Sequence, residues 1–428
     1  MTRSNGGNGG PEKAVLAGLA LRDVPRGVVD DHLDELTKLV EAAGGTVAGS
    51  IIARRPAPDP ATYLGKGKVA EVEALVRDTG AALVVFDDDL SPAQVRNLEA
   101  AIKVKIIDRS GLILDIFARR ARTREAKTQV ELAQLKYLLP RLTRQWSHFS
   151  RQAGGIGGAR RGAGETQLEV DRRMVRDRIA RLGEDLKKIE RTRDTQRRGR
   201  KSAFTVALVG YTNAGKSTLF NRLTGGNAEA MDQLFATLDA KLQRSYYATP
   251  RETVIIDTVG FIRKLPHHLV ASFRSTMEES VGADLVLHVM DASHPQLREQ
   301  RDVADAVLGE LGVPPENIVE VYNKIDRLDG PLPLFSKRDA VLVSAITGQG
   351  IERLMDLVRN RELAGGEILD LELPAGDAKL LARLHEIADV QSQSARDQFV
   401  DVTAWIPMAA IHLFSPYVVE SGPARARS

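Results

Sequence analysis

The chain is 428 residues long, which at about 150 residues per domain predicts roughly three globular units and excludes a single small module. Its apolar fraction of 43% and charged fraction of 27% are ordinary for a globular protein, and they exclude a collagen-like or wholly disordered chain. The net charge is only +3, so charge matters where it is locally concentrated. Cysteine is absent, which excludes a disulfide framework, a cysteine-ligated zinc site and a thiol nucleophile.

The sequences of the two chain ends show no pattern that predicts targeting or membrane insertion. Residues 1–12 are polar and rich in Gly and Asn, and both this segment and residues 420–428 are predicted to be disordered. No stretch offers about 18 uninterrupted apolar residues, so we expect no signal peptide and no membrane span. Together with the absence of cysteine, these features predict a cytoplasmic protein.

Strands and helices alternate through residues 13–110, which predicts an N-terminal α/β domain with a small parallel sheet. The predicted strands are 14–21, 46–53, 82–86 and 104–107, and the predicted helices are 30–43, 68–79 and one after Ser91-Pro92. The turn Gly65-Lys66-Gly67-Lys68 precedes one of these helices. It is either an ordinary turn, which we favour, or a phosphate cradle.

Residues 111–201 carry a local excess of positive charge. From Ser110, apolar residues at helical intervals among arginines predict one long basic helix, and a second basic helix is predicted from Gln167 to about Arg200. The glycine-dense segment 154–164 between them predicts a loop, so the region is predicted to be a basic helical hairpin. This charge favours a phosphate-rich partner such as RNA over a solvated coiled-coil surface. The predicted RNA-binding residues are Arg151, Arg160, Arg161, Arg172 and Arg173. Three aromatic side chains just before the loop would either stack on unpaired bases or form the core of the hairpin: Trp146, His148 and Phe149.

The alternation resumes in a predicted domain at 202–364, whose first strand runs into a complete G-x-x-x-x-G-K-S motif. In this strand-to-helix context the backbone N–H groups face phosphate oxygens, Lys216 reaches the β and γ phosphates, and the Ser217 hydroxyl can ligate Mg²⁺. The motif therefore predicts a nucleoside triphosphate site. Its predicted binding residues are Gly210, Tyr211, Thr212, Asn213, Ala214, Gly215, Lys216, Ser217 and Thr218. The predicted strands of this domain are 205–209, 253–257, 285–291, 318–323 and 340–344.

Three further motifs stand at the ends of later strands and favour a guanine nucleotide. In Asp257-Thr258-Val259-Gly260 the aspartate can hold the metal through water. In Asn323-Lys324-Ile325-Asp326 the last carboxylate can accept from guanine N1 and N2, donors that adenine does not present in that pattern. Ser344-Ala345 then places backbone N–H groups near the base carbonyl.

The element pattern as a whole predicts a multidomain α/β protein. Its central P-loop domain is expected to have a doubly wound, mostly parallel sheet. The pair Gly365-Gly366 marks a linker, after which strand and helix signals predict a small C-terminal α/β domain at 365–419.

These motifs resemble the G1, G3, G4 and G5 boxes of the translation-factor class of GTPases, and Thr237 then fits the switch threonine that senses the γ-phosphate through Mg²⁺. The chain resembles the HflX family over nearly its whole length. The resemblance rests on the sequences of residues 210–218, 235–239 and 257–262 and on the Gly/Arg-rich stretch 154–173. One departure is Ala163, where the family usually has proline. This change loosens the expected loop backbone and leaves its charge intact.

The resemblance implies a GTPase that binds the large (50S) ribosomal subunit and its rRNA and, in several relatives, splits stalled or idle ribosomes under stress. It implies catalytic roles for Lys216, Thr237 and Gly260 and Mg²⁺ held by Ser217, by Thr237 and, through water, by Asp257. It also implies ATP binding to the N-terminal domain. We expect a monomer that exchanges GTP and GDP.

Phe261 stands where Ras-like enzymes place the glutamine that orients the attacking water, so we predict slow intrinsic hydrolysis. A second interpretation of the whole chain remains open. The protein would then be a non-ribosomal, GTP-dependent regulator acting through a protein partner, with the basic helices forming a structural coiled coil.

Overall fold

Two units make up the computed structural model, and each is described by itself. Unit 1 comprises Met1–Arg191, Asp232–Asp239 and Arg263–Ser275, and unit 2 comprises Thr192–Met231, Ala240–Ile262 and Thr276–Ser428. The structure describes residues 11–21, 26–142, 167–198, 203–226, 234–235, 241–247, 252–264, 282–328, 330, 338–396 and 398–419. No helix within these ranges has the length and hydropathy needed to cross a membrane.

Unit 1 begins with a four-stranded sheet in the order β2-β1-β3-β4, in which every pair is parallel. Its strands are β1 (Lys13–Leu21), β2 (Thr46–Arg55), β3 (Leu83–Phe86) and β4 (Lys105–Asp108). The helices between them are α1 (Arg26–Ala42), α2 (Lys66–Thr79) and α3 (Pro92–Ile102). All four residues of β3 are buried, as expected of a strand covered on both faces. The predicted parallel α/β sheet is confirmed.

The prediction of one long basic helix after Ser110 was wrong. The structure has α4 (Arg109–Arg120) and α5 (Arg124–Leu138), separated by a short break. Ala121 is extended, and the Thr123 hydroxyl accepts a hydrogen bond from the Ala126 N–H at 3.1 Å, which starts a new helix. The apolar spacing continues across the break, so periodicity alone does not reveal this capping residue.

The second basic helix of the predicted hairpin is α6 (Gln167–Arg198). The Arg178 guanidinium of α6 donates to both carboxylate oxygens of Glu131 on α5, at 2.7 and 3.0 Å. Leu182, one turn further along α6, is buried. The two helices therefore contact each other within unit 1. The predicted loop at 154–164 lies outside the described residues.

Unit 1 also contains a buried arginine surrounded by carboxylates. Arg109 is 1% exposed, and its guanidinium contacts Glu35 and pairs with Asp87 at 2.7 Å. Its Nε donates to the Arg263 carbonyl at 3.2 Å. Asp87 also pairs with Lys264 at 2.7 Å, but burial outweighs this cation and raises the pKa of Asp87 to about 6.

Unit 2 contains a six-stranded sheet in the order β10-β9-β8-β5-β7-β6. The strands are β5 (Phe204–Val209), β6 (Lys241–Arg244), β7 (Thr253–Asp257), β8 (Leu285–Asp291), β9 (Ile318–Asn323) and β10 (Ala340–Leu342). Only the edge strand β6 is antiparallel to its neighbour, which confirms the predicted mostly parallel sheet. Among the described residues, the helices that accompany this sheet are α7 (Lys216–Thr224), α8 (Leu297–Leu311) and α9 (Ile351–Leu363).

The C-terminal part of unit 2 is an antiparallel sheet in the order β11-β13-β12. Its elements are β11 (Gly366–Pro374), α10 (Ala378–Ile387), β12 (Asp389–Arg396), β13 (Phe399–Pro407) and α11 (Ile411–Phe414). The predicted linker is short, because α9 ends at Leu363 and Gly366 is already in a strand. A Cβ at Gly366 would lie 2.3 Å from the Ile406 carbonyl oxygen, so this glycine permits close strand packing.

Candidate functional site: the nucleotide pocket of unit 2

The predicted phosphate loop connects the end of β5 to the first turn of α7. Gly210 and Gly215 have φ values of 144° and 91°, in the region that favours glycine. A Cβ at Gly210 would lie 2.0 Å from the Val289 carbonyl oxygen, and one at Gly215 would lie 2.3 Å from Asn323 Nδ2. Gly210 is therefore required by the close approach of the Val289 backbone, and Gly215 by its positive φ and the neighbouring Asn323 side chain. The loop ends at a helix N-terminus, where anions bind favourably.

Lys216 is the first residue of α7 and is 7% exposed. Its ammonium donates to the carbonyl oxygens of Gly210 at 3.1 Å and Tyr211 at 2.8 Å. Burial lowers the pKa of Lys216 to about 8, with the nearby charge of Asp257 acting in the opposite direction. Because these hydrogen-bond partners are neutral carbonyls, the ammonium can still form an ion pair with an anion such as a phosphate.

Ser217 and Asp257 bring two oxygen ligands together beside this lysine. The Ser217 hydroxyl donates to Asp257 Oδ2 at 2.9 Å, and Asp257 is fully buried at the end of β7. The adjacent Thr258 hydroxyl donates to the Leu208 carbonyl at 2.7 Å, which holds the turn against β5. A hydroxyl and a carboxylate are the hard oxygen donors that Mg²⁺ prefers, so these residues fit the metal that GTPases generally use.

The residues after Asp257 pack tightly against the phosphate loop. A Cβ at Gly260 would lie 2.8 Å from Lys216 Nζ, so only glycine fits here without displacing the lysine. The Phe261 N–H donates to the Gly210 carbonyl at 2.9 Å, and its own carbonyl accepts from the Thr212 N–H at 2.7 Å. Phe261 is 2% exposed, and its ring offers no group that could orient a water molecule.

The two predicted base-binding motifs converge on the phosphate loop. Asn323 Nδ2 donates to the Ala214 carbonyl at 2.9 Å, and Asn323 Oδ1 accepts from the Ala345 N–H at 3.0 Å. Lys324 Nζ donates to the Asn213 carbonyl at 2.7 Å. The residues predicted from three separate motifs thus form one connected pocket in unit 2.

The carboxylate predicted to read guanine is oriented by the last of these motifs. Asp326 is exposed, and its Oδ1 accepts from the Ser344 hydroxyl at 2.5 Å. Ser344 itself is fully buried. A carboxylate that accepts one hydrogen bond keeps further acceptor capacity, as recognition of the guanine N1 and N2 donors requires.

Two residues of this pocket were missed by the sequence analysis. Asp291, the last residue of β8, accepts from Lys324 Nζ at 2.7 Å and from the Ser293 hydroxyl at 2.6 Å. Burial raises the pKa of Asp291, but these hydrogen bonds outweigh it and hold the pKa below its usual value. Arg222 on α7 contacts the backbone of Ala345. The strand-end position of Asp291 was a usable signal, whereas nothing in the sequence distinguishes Arg222 from other helical arginines.

Several predicted site residues lie outside the described residues: Thr237, Trp146, His148, Phe149, Arg151, Arg160 and Arg161. Arg172 and Arg173 lie on α6, where Arg173 is exposed and Arg172 Nη2 donates to the Leu142 carbonyl at 3.0 Å. At the predicted alternative phosphate cradle, a Cβ on Gly65 would lie 2.1 Å from Arg55 Nη1. Gly65 also has a φ of 89°, in the region that favours glycine, and the choice between an ordinary turn and a phosphate cradle stays a prediction.

Comparisons with known proteins cover most of the chain. The family models described as "GTP-binding GTPase N-terminal", "GTP-binding GTPase Middle Region" and "50S ribosome-binding GTPase" match residues 30–118, 120–200 and 205–324. A solved structure of a GTP-binding protein from Sulfolobus solfataricus in complex with GDP is 25% identical, with a TM-score of 0.44, and the match covers 82% of this chain and 98% of that chain.

Curated relatives have a higher sequence identity to this chain than the solved structure does. The GTPase HflX of Escherichia coli (strain K12) is 46% identical over 85% of this chain and 86% of that protein. The GTPase HflX of Magnetococcus marinus is 43% identical over 94% of each chain. The predicted resemblance and the predicted GTP hydrolase activity are both confirmed by these matches. With its connected nucleotide pocket and these relatives, the chain belongs to the HflX family of GTPases.

Proposed function

We propose that this GTPase binds the large (50S) ribosomal subunit in its GTP-bound state and dissociates stalled or idle ribosomes under stress. Hydrolysis to GDP then resets the protein for another cycle. The observation that carries this proposal is Phe261, an apolar side chain fixed beside an otherwise well-formed nucleotide pocket. Such a pocket binds GTP well but lacks a water-orienting group, so a partner is needed for fast turnover.

GTP binding would reorganise the hydrogen bonds of the pocket. The Lys216 ammonium exchanges its carbonyl partners for the β and γ phosphate oxygens, and Asp326 accepts from guanine N1 and N2. Ser217 and Thr237 would hold Mg²⁺, with Asp257 acting through water, and the bound ion would supply charge neutralisation at the phosphates. Thr237 and Gly260 would respond to the γ-phosphate, so its loss would release both switch segments.

Hydrolysis in the isolated protein should be slow because Phe261 cannot hydrogen-bond the attacking water. The remaining contributions are positioning of the substrate and the charges of Lys216 and Mg²⁺. The 50S subunit would supply or reposition a polar group near the γ-phosphate. GTP binding would then drive the mechanical step, and hydrolysis would end it.

The basic hairpin is the proposed contact with rRNA. Arg172 and Arg173 lie on α6, and Arg151, Arg160 and Arg161 precede this helix in the sequence. Affinity based on phosphate contacts falls steeply as salt rises, because binding releases condensed counterions. We propose that the protein acts in the cytoplasm as a monomer.

GTP hydrolysis by the purified protein, measured with and without isolated 50S subunits, tests this proposal. We expect stimulation of about a hundredfold or more, since partner-supplied groups have effects of at least this size in other GTPases. Equal rates with and without subunits would contradict it.

Charge reversal at Arg160 and Arg161 provides a second readout of the same proposal. It should abolish subunit binding, whereas reversal at the exposed Arg77 on α2 should not. If tight GTP binding is accompanied by salt-insensitive binding to a protein instead of the 50S subunit, the non-ribosomal regulator is correct.

A further inference from the structure

Arg222 lies on α7 outside all of the nucleotide-binding motifs, and its guanidinium contacts the loop after β10. Its Nε donates to the Ala345 carbonyl at 3.1 Å, and its Nη2 donates to the neighbouring Ile346 carbonyl. A planar guanidinium can hold two acceptors in a fixed relation, which a single ammonium cannot do. The side chain therefore fixes the backbone of this loop relative to α7.

The loop that Arg222 holds is the one that orients the base-reading carboxylate. Within this loop, the Ser344 hydroxyl donates to Asp326 Oδ1 at 2.5 Å, and the Ala345 N–H donates to Asn323 Oδ1 at 3.0 Å. Asp326 is exposed on a short 3-10 turn, so little packing restrains its carboxylate. A displacement of the loop would therefore change the orientation of Asp326 first.

We propose that Arg222 is a positioning residue for guanine specificity. It acts through the 345–346 backbone on Ser344, and through Ser344 on Asp326. Because α7 begins with Lys216 and Ser217, one nine-residue helix then positions both the phosphate-binding groups and the base-binding loop. The proposal rests on the guanine-nucleotide pocket and is independent of any association with ribosomes.

The test compares affinity for GDP with affinity for inosine diphosphate, which lacks the 2-amino group that Asp326 is expected to bind. Titration calorimetry gives both dissociation constants for the wild type, Arg222→Ala and Arg222→Lys. We expect Arg222→Ala to weaken GDP binding about fivefold and to lower the preference for GDP over inosine diphosphate about threefold, in line with the modest net strength of exposed hydrogen bonds. Arg222→Lys should restore part of that preference, because it can still donate to one carbonyl.

Arg359→Ala is the matched control, because Arg359 is another helical arginine of unit 2 and pairs with Asp356 at 2.6 Å on the surface. It should leave both dissociation constants unchanged. A variant that is partly unfolded binds fewer molecules of both nucleotides and leaves the ratio of affinities unchanged, so misfolding does not imitate the expected result. An unchanged ratio in Arg222→Ala would overturn the proposal. The proposed ribosomal function would be unaffected by that result.

Discussion

Two buried cations, one in each unit, differ in the charge of their partners. Arg109 in unit 1 is 1% exposed and hydrogen-bonds the carboxylates of Glu35 and Asp87. Lys216 in unit 2 is 7% exposed and donates to two backbone carbonyls. The charge of Arg109 is neutralised by the fold, whereas that of Lys216 is left for a ligand. In this protein the buried cation with neutral hydrogen-bond partners is therefore the candidate for binding an anionic ligand.

The largest predicted effect concerns the neutralised cation. Arg109→Met removes the guanidinium that Glu35 and Asp87 share and leaves the buried Asp87 paired with Lys264, so we expect unit 1 to lose about 3 kcal/mol of unfolding free energy. Amide hydrogen exchange of β3 and β4 across a urea series measures this loss. Arg77→Met, at an arginine whose side chain is 74% exposed, is the control. A loss below about 1 kcal/mol, the range of an exposed pair, would remove the distinction between the two cations.

The second prediction concerns the cation that is left for a ligand. Lys216→Ala should lower the rate of GTP hydrolysis about a hundredfold or more, as does removal of other preorganised groups that stabilise transition-state charge. Single-turnover hydrolysis with saturating GTP measures the effect. Lys68→Ala, at a surface lysine paired with Glu71, should leave the rate unchanged. A similar rate in both variants would show that Lys216 is another structural cation.

The third prediction is a dependence of nucleotide affinity on pH. The pKa of Lys216 is lowered to about 8 by burial, so the free protein loses this charge as pH rises through 8. GTP binding favours the ammonium, and the dissociation constant should therefore rise above pH 8, by at most about tenfold per pH unit. The same series with Lys216→Arg, whose guanidinium stays charged, corrects for titration of the nucleotide itself. If the affinities of the wild type and Lys216→Arg change with pH in the same way, deprotonation of Lys216 is not the cause of the pH dependence.

Sequence periodicity and motif spacing correctly predicted the features that depend on residues close together in the chain. Alternating strands and helices predicted both parallel sheets, and the Gly210–Thr218 motif predicted the loop between β5 and α7. The break between α4 and α5 was not predicted, because one capping threonine ends a pattern that is otherwise continuous. The edge strand β6 was also missed, since its four residues are all exposed and show no alternation.

Contacts between distant parts of the chain were beyond the sequence analysis. Arg222 and the Ala345 carbonyl are 123 positions apart, and Asp291 reaches Lys324 across two neighbouring strands. Neither pair has a fixed spacing that a motif could capture. These contacts depend on strand order and on the position of α7, which only the folded sheet provides.

Cosedimentation of the protein with isolated 50S subunits tests the central claim most directly. The measurement compares GTP, a nonhydrolysable GTP analogue and GDP at a single moderate salt concentration. We predict that the protein pellets with subunits in the nonhydrolysable analogue and remains in the supernatant in GDP. Equal pelleting in the two states, or none in either, would contradict a GTP-dependent switch that acts on the large subunit.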